Sequence, residues 1–259
     1  MSRFINTVVR PVVRTFGVEV VRYRPDDAQG SDYPPDFSAS SRRICDAVRP
    51  CTITSPERVN ALVEAVRYIV ANRIEGAIVE CGVWKGGSAM AAALMLNELG
   101  DRSRSIYLYD TFAGMTAPGE VDVSCGGVKA SVQFAQRKIA EDASDWCRSS
   151  LEEVRTNVFS TGYPREKFHF IEGKVEDTIP AHIPGVIALL RLDTDWYEST
   201  KHELVHLFPR LTSGGVLIID DYGHWEGARK AVDEYIAEHV PGIFLSRIDY
   251  TGRIAINPS

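Results

Sequence analysis

AIVECGVWKGGS, residues 77–88, is an apolar run that breaks at Gly82, turns over Gly86 and Gly87, and continues into a second apolar stretch, AMAAALML, residues 89–96. A strand, a glycine-rich turn and a helix in that order form the opening unit of a parallel α/β sheet, whose ligands sit outside the carboxyl ends of the strands. Further apolar runs follow: SIYLYD (105–110), FHFIEG (168–173), VIALLRLD (186–193) and GGVLIID (214–220). They are apolar nearly throughout, as strands covered on both faces must be. Helical stretches alternate with them, so a mostly parallel sheet with right-handed crossovers and helices on both faces is expected. IFLSRIDY (243–250) and RIAIN (253–257), joined by Thr251-Gly252, read as a closing hairpin with an antiparallel final strand.

Upstream of this unit, Ser55-Pro56-Glu57 is a helix start, and Val59, Leu62, Val66 and Ile69 make one apolar stripe to about Ala71. Residues 26–41 are rich in Asp, Pro and Ser and read as a loop. The first 24 residues carry Arg3, Arg10, Arg14, Arg22 and Arg24 among valines, with Pro11 interrupting any helix. They read as a packing or oligomer arm rather than a membrane anchor or targeting peptide. The expected organisation is an N-terminal arm over 1–50 and one domain over 51–259. Within that domain a helical lid insertion is expected at about 117–160, with helices near 128–139 and 151–158.

The 259 residues suffice for one core with insertions. A net charge of −6 disfavours a nucleic-acid binder, which needs a basic footprint, and suits a protein that handles cations. The five cysteines are odd in number and form no C-x-x-C, so neither a disulfide framework nor a structural zinc site is expected, and a reducing cytoplasm is the expected compartment. No apolar run is long enough to span a membrane, and no membrane partner is expected.

The turn reads E-x-G-x-x-x-G-G-S, not the phosphate-binding G-x-G-x-x-G. Glu80 would repel a pyrophosphate and attract the ammonium group of a sulfonium amino acid, which favours S-adenosylmethionine over NAD. Asp110, ending the second strand, can accept from ribose hydroxyls. Asp177, in the loop after the third strand, is placed to meet the adenine edge, although a plain acidic loop explains that stretch as well. Cofactor contacts are therefore expected from Glu80, Gly82, Trp84, Gly86, Ser88, Asp110, Phe112 and Asp177.

Asp193 and Asp195 end the fourth strand two residues apart, hence on one side, and Asp220 and Asp221 end the fifth. If those strands are neighbours, four carboxylates converge and call for a hard cation such as Mg²⁺. Such an ion can clamp two adjacent hydroxyls while a carboxylate takes a proton as general base. The competing explanation is that Asp220 and Asp221 cap the helix near Trp225. A rival motif is His202-Glu203-Leu204-Val205-His206, a literal H-E-x-x-H of zinc hydrolases, for which Glu226 is a conceivable third ligand.

Taken in order, ECGVWKGGS, LYDTF, RLDTDWYEST, LFPRL and GGVLIIDDYG resemble the macrocin O-methyltransferase (TylF/MycF-like) family over roughly residues 52–257. The resemblance implies a class I, Rossmann-like methyltransferase fold, usually oligomeric, which methylates sugar hydroxyls of natural products with S-adenosylmethionine and a divalent ion. It implies Asp193, Asp220 and Asp221 as metal ligands and Asp195, or Asp193 itself, as the catalytic base. The family often shows D-G-D before L-Y-E-S-T, whereas Thr194 and Trp196 stand at the Gly and Leu positions here. The expected partner is a small glycosylated acceptor, covered by lid residues such as Phe134 or Trp146, in a homo-oligomer. A catechol-type O-methyltransferase and a binding protein that has lost turnover are the other classes. The charged lid (Lys129, Arg137, Lys138) speaks for a bulky polar acceptor, and four intact acids speak against lost turnover.

Overall fold

In the computed structural model, which describes residues 33–258, the five apolar runs become the parallel part of one seven-stranded sheet. The chain divides into two units, 1–37 and 38–259. The arginine-rich arm expected over the first 24 residues lies outside the described residues. In the first unit Tyr33 stacks on Phe37 with ring centroids 5.9 Å apart.

In the second unit α1 (Ala39–Val48) and α2 (Pro56–Ala71) precede the sheet. Both start as their sequences dictate. The Ser38 hydroxyl accepts from the Ser41 N–H at 3.0 Å, and the Ser55 hydroxyl from the Arg58 N–H at 3.2 Å. Next come β1 (Ala77–Cys81), α3 (Gly87–Leu99) and β2 (Ile106–Asp110). The insertion holds α4 (Ala130–Arg137), β3 (Lys138–Ala140), β4 (Ala143–Ser144) and α5 (Leu151–Phe159). Then follow β5 (Phe168–Glu172), α6 (Val175–Thr178), β6 (Ile187–Leu192), α7 (Tyr197–Leu207), β7 (Leu211–Ile219), α8 (Glu226–His239), β8 (Ser246–Arg247) and β9 (Arg253–Ile256).

The strand order is β5-β2-β1-β6-β7-β9-β8, with β9 antiparallel to both β7 and β8. Every residue of β1 and β6 is buried. Leu190 and Leu192 of β6 join Leu204, Leu207 and Val232 of α7 and α8 in one core, and each such side chain contributes about 1.5–3 kcal/mol by leaving water. Strand alternation then sends Leu189 and Arg191 to the opposite face, where α2 packs on β6 and β7. The register aligns Glu80 with Arg191 and Arg191 with Ile218. Glu80, Arg191 and, two residues beyond Ile218, Asp220 thus fall on that one face.

One local expectation changes. The helix expected over 128–139 is shorter, because residues 138–140 leave it to pair with β4. Strands of two and three residues with mostly exposed side chains carry no periodic signal, so the hairpin was not legible in the sequence. Among the described residues no helix is long and apolar enough to cross a membrane.

Candidate active site

The carboxyl ends of β1, β2, β6 and β7 open into a cavity of about 370 Å³. Its floor is the turn after β1. Gly82 has φ +80°, and a Cβ there would stand 2.0 Å from the Asp193 carbonyl oxygen, so only glycine lets the ends of β1 and β6 touch. The Asp110 carboxylate knits this turn to the end of β2. Its Oδ2 accepts from the N–H groups of Val83 (2.7 Å) and Trp84 (3.1 Å), and its Oδ1 from Phe112 N–H (2.7 Å). Burial raises its pKa, and those three donors oppose the rise. Trp84, Cys147 and Asp195 line the cavity with φ of +47°, +48° and +68°. Left-handed backbone at non-glycine residues costs about 1 kcal/mol or more each and persists where surrounding structure enforces it.

At the other end of the cavity Arg191, fully enclosed, meets three carboxylates: Glu80 Oε1 at 2.8 Å, Asp193 Oδ2 at 2.8 Å and Asp220 Oδ1 at 2.7 Å. The second oxygen of Asp220 accepts from Arg58 and, at 3.3 Å, from the Thr54 hydroxyl. Asp193, Asp195 and Asp221 remain, and each offers an oxygen within 4.8 Å of the others. Oδ2 of Asp221 is buried without a hydrogen-bond partner. Burial pushes Asp195 up to about 7 and Glu80 up to about 7, in the second case against the field of Arg191. Asp193 and Asp221 are also held well above the usual carboxylate range, first by burial and then by neighbouring acids. With Asp249, which Arg58 also holds at 3.0 Å, six carboxylates thus stand against two guanidinium groups. An oxygen-only cluster with one orphaned, buried oxygen fits a hard dication.

Of the residues expected from the sequence, Glu80, Gly82, Trp84, Ser88, Asp110, Asp193, Asp195, Asp220 and Asp221 line this one cavity. Gly86 and Phe112 do not. Gly86 precedes α3 as its cap, and the Phe112 ring is buried while its N–H serves Asp110. Asp177 does not line this cavity: it is exposed on the short helix α6, while Lys174, Val175 and Glu176 beside it do line the cavity. Asp220 is displaced from the expected carboxylate cluster by its two arginines, and Asp195 stands with Asp193 and Asp221 instead. Of the two lid aromatics, Trp146 reaches the cavity and Phe134 is buried away from it. Trp146 and Trp225 form one wall, packed edge-on to Trp196 at 5.6 and 5.1 Å.

Sequence reasoning missed Arg191 and Arg58. Arg191 had a signal, a lone charge inside an otherwise apolar strand. Arg58 had none, because nothing in a helix start tells which distant acid it will meet. The H-E-x-x-H residues do not form a centre. His202 Nε2 lies 3.0 Å from the Ile179 carbonyl, while Glu203 points inward to Thr194. Among the described residues the only three or more His, Cys, Asp or Glu side chains whose ligand atoms converge are Asp193, Asp195 and Asp221.

The family model described as macrocin-O-methyltransferase (TylF) matches residues 18–254. A tetracenomycin-C 4'-O-methyltransferase of Streptomyces olivaceus, acting on the 8-demethyl-8-(2,3-dimethoxy-alpha-L-rhamnosyl) compound, is 33% identical over 201 residues, 78% of this chain and 73% of that one. Demethyldecarbamoylnovobiocin O-methyltransferase of Streptomyces niveus is 32% identical over the same shares. The solved O-methyltransferase NovP superposes with a TM-score of 0.71 at 30% identity, covering 81% of this chain and 83% of that one.

Proposed function

Since this chain belongs to the macrocin O-methyltransferase family, we propose that it transfers the methyl group of S-adenosylmethionine, with Mg²⁺ assistance, to a sugar hydroxyl of a small glycosylated natural product. The observation that carries the reading is one cavity with a glycine-rich strand–helix turn at one end and an oxygen-only acidic cluster at the other. The names of the two Streptomyces relatives support the acceptor class, since one methylates a rhamnosylated compound.

Glu80, Gly82, Ser88 and Asp110 would hold the cofactor, and the carboxylates of Asp193 and Asp221 the cation. Mg²⁺ is commonly held by one or two carboxylates, with the remaining positions left to water and substrate oxygens. When bound, the cofactor supplies an electrophilic methyl group, and the cation lowers the pKa of a hydroxyl beside it. Asp195, which converges with these two acids, would be placed to take the hydroxyl proton on a carboxylate oxygen. Arg191 fixes Glu80, Asp193 and Asp220 relative to one another, so the cluster keeps its shape. The Trp146–Trp225 wall excludes water and offers a flat apolar surface to a ring of the acceptor.

The test combines calorimetric titration of S-adenosylhomocysteine, with Mg²⁺ or EDTA, and a methyl-transfer assay on a glycoside with vicinal hydroxyls against a catechol. Micromolar binding and Mg²⁺-dependent transfer to the glycoside are expected. Transfer to the catechol alone would move the acceptor to aromatic diols. No binding of the sulfur nucleoside would remove the cofactor assignment. Asp195→Asn should keep cation binding and lose turnover by a factor of ~10²–10⁴. Loss of cation binding in that variant would make Asp195 a ligand.

A further inference from the structure

Glu203, the acid of the H-E-x-x-H stretch, has 0% exposure, and the mechanism above does not use it. A buried carboxyl is costly unless it is hydrogen-bonded. An apolar residue would fill the same place on α7 at no such cost. Its Oε1 accepts from the Thr194 hydroxyl at 3.0 Å, and its Oε2 is buried with no hydrogen-bond partner. Thr194 is the link between Asp193 and Asp195, two of the three converging acids. Its carbonyl accepts from the Trp196 N–H at 2.8 Å and from the Ser199 hydroxyl at 3.4 Å. Asp195 follows in left-handed backbone, φ +68°, a conformation that persists only when its neighbours enforce it. The two backbone-side bonds hold the carbonyl of residue 194, and the bond to Glu203 holds its side chain.

We propose that Glu203 is a positioning residue: through the Thr194 hydroxyl it holds the Asp193–Thr194–Asp195 loop so that both carboxylates face one point. Burial pushes the Glu203 carboxyl well above the usual carboxylate range. The inference rests on the proposed function only in that Asp193 is taken to face a cation.

The experiment measures Mn²⁺ and S-adenosylhomocysteine affinities by calorimetry for the wild-type chain, Glu203→Gln, Glu203→Ala, Thr194→Val and the Glu203→Ala/Thr194→Val pair. Crystal structures of the wild type and of the Glu203→Ala and Thr194→Val variants accompany them. Losing one buried hydrogen bond should weaken Mn²⁺ roughly ten-fold in Glu203→Ala and in Thr194→Val. The pair should be no worse than either alone. Glu203→Gln, whose amide oxygen still accepts from Thr194, should stay within about two-fold of wild type, because the hydrogen bond survives. S-adenosylhomocysteine affinity should not move. Unchanged Mn²⁺ affinity in Glu203→Ala overturns the proposal, as does an equal loss of S-adenosylhomocysteine affinity, which marks general destabilisation. Thr194→Val, nearly isosteric and only partly buried, carries the same test if Glu203→Ala does not fold. Should the wild type bind no Mn²⁺, the cation reading fails and the loop itself decides. A displaced Asp193–Asp195 loop in a variant crystal supports positioning, and an unmoved loop in both overturns it.

Discussion

Three backbone N–H groups converge on Asp110, two on one oxygen and one on the other. An acid at the end of the second strand was legible in the sequence, where it was expected to contact the cofactor. That it also staples the Gly82–Trp84 turn was not, because the partners are backbone atoms 26 and 27 residues upstream whose direction only the fold sets. Removing the carboxylate leaves those donors partly buried and unpaired, at roughly 1–3 kcal/mol for such a group. Asp110→Ala should therefore lower unfolding free energy by about 2–3 kcal/mol in urea titrations. It should also weaken S-adenosylhomocysteine by more than ten-fold (~1.4 kcal/mol). A variant of wild-type stability that merely binds the cofactor less well would show that the staple contributes nothing. Arg191 teaches a similar lesson. Its oddity in an apolar strand was visible, but its three partners come from β1 and from the ends of β6 and β7.

Helix α7 begins directly after the acidic loop, and its cap residue Trp196 offers no side-chain acceptor. The missing cap comes from the lid. Asp122, 1% exposed, accepts from Tyr197 N–H at 2.9 Å on Oδ1 and from Gly119 N–H at 2.7 Å on Oδ2. Gly227, near the start of α8, makes room for it, since a Cβ there would lie 1.9 Å from Asp122 Oδ1. One carboxylate thus joins the lid to the first turns of both helices. Asp122→Ala should cost about 1–2 kcal/mol, as the loss of a helix cap does. Gly227→Ala should destabilise by expelling the same carboxylate. In thermal melts the two should therefore be markedly non-additive, and full additivity would show that they act separately. The existence of α2, α3, α5 and the five parallel strands was readable, because caps and apolar periodicity lie within each segment. The β3–β4 hairpin and this capping from a distance were not, since neither leaves a local pattern.

At the scale of the whole molecule, the acidic cluster makes its own contribution to how stability varies with pH. Asp195 titrates at about 7 in the folded state because burial raises it, and Asp193 and Asp221 move in the same direction. An unfolded aspartate titrates near ~4, so between about pH 4 and 7 the folded chain holds more protons than the unfolded one. The stability contributed by these groups is present at low pH and is lost as pH rises through that window. A bound dication replaces the protons. Mg²⁺ should therefore raise the melting temperature more at pH 8 than at pH 5, as measured by differential scanning fluorimetry. Equal shifts at the two pH values would argue against the cluster as the cation site.

The sequence alone determined the fold class, the order of its strands along the chain, the end of the sheet that carries the site and the family. Each of these is written in short-range patterns: apolar runs, glycines at a turn, acids at strand ends. The tertiary structure alone decided which acids face one another. In the sequence Asp195 and Asp220 each lie at a strand end close to another acid, and nothing local tells which of them arginines will take. In the fold Arg58 of α2 and Arg191 of β6 take both oxygens of Asp220, and a left-handed turn at Asp195 brings its carboxylate toward Asp193 and Asp221. The physical reason is that a charge interaction depends on distance and burial, and the packing of α2 on β6 and β7 fixes both.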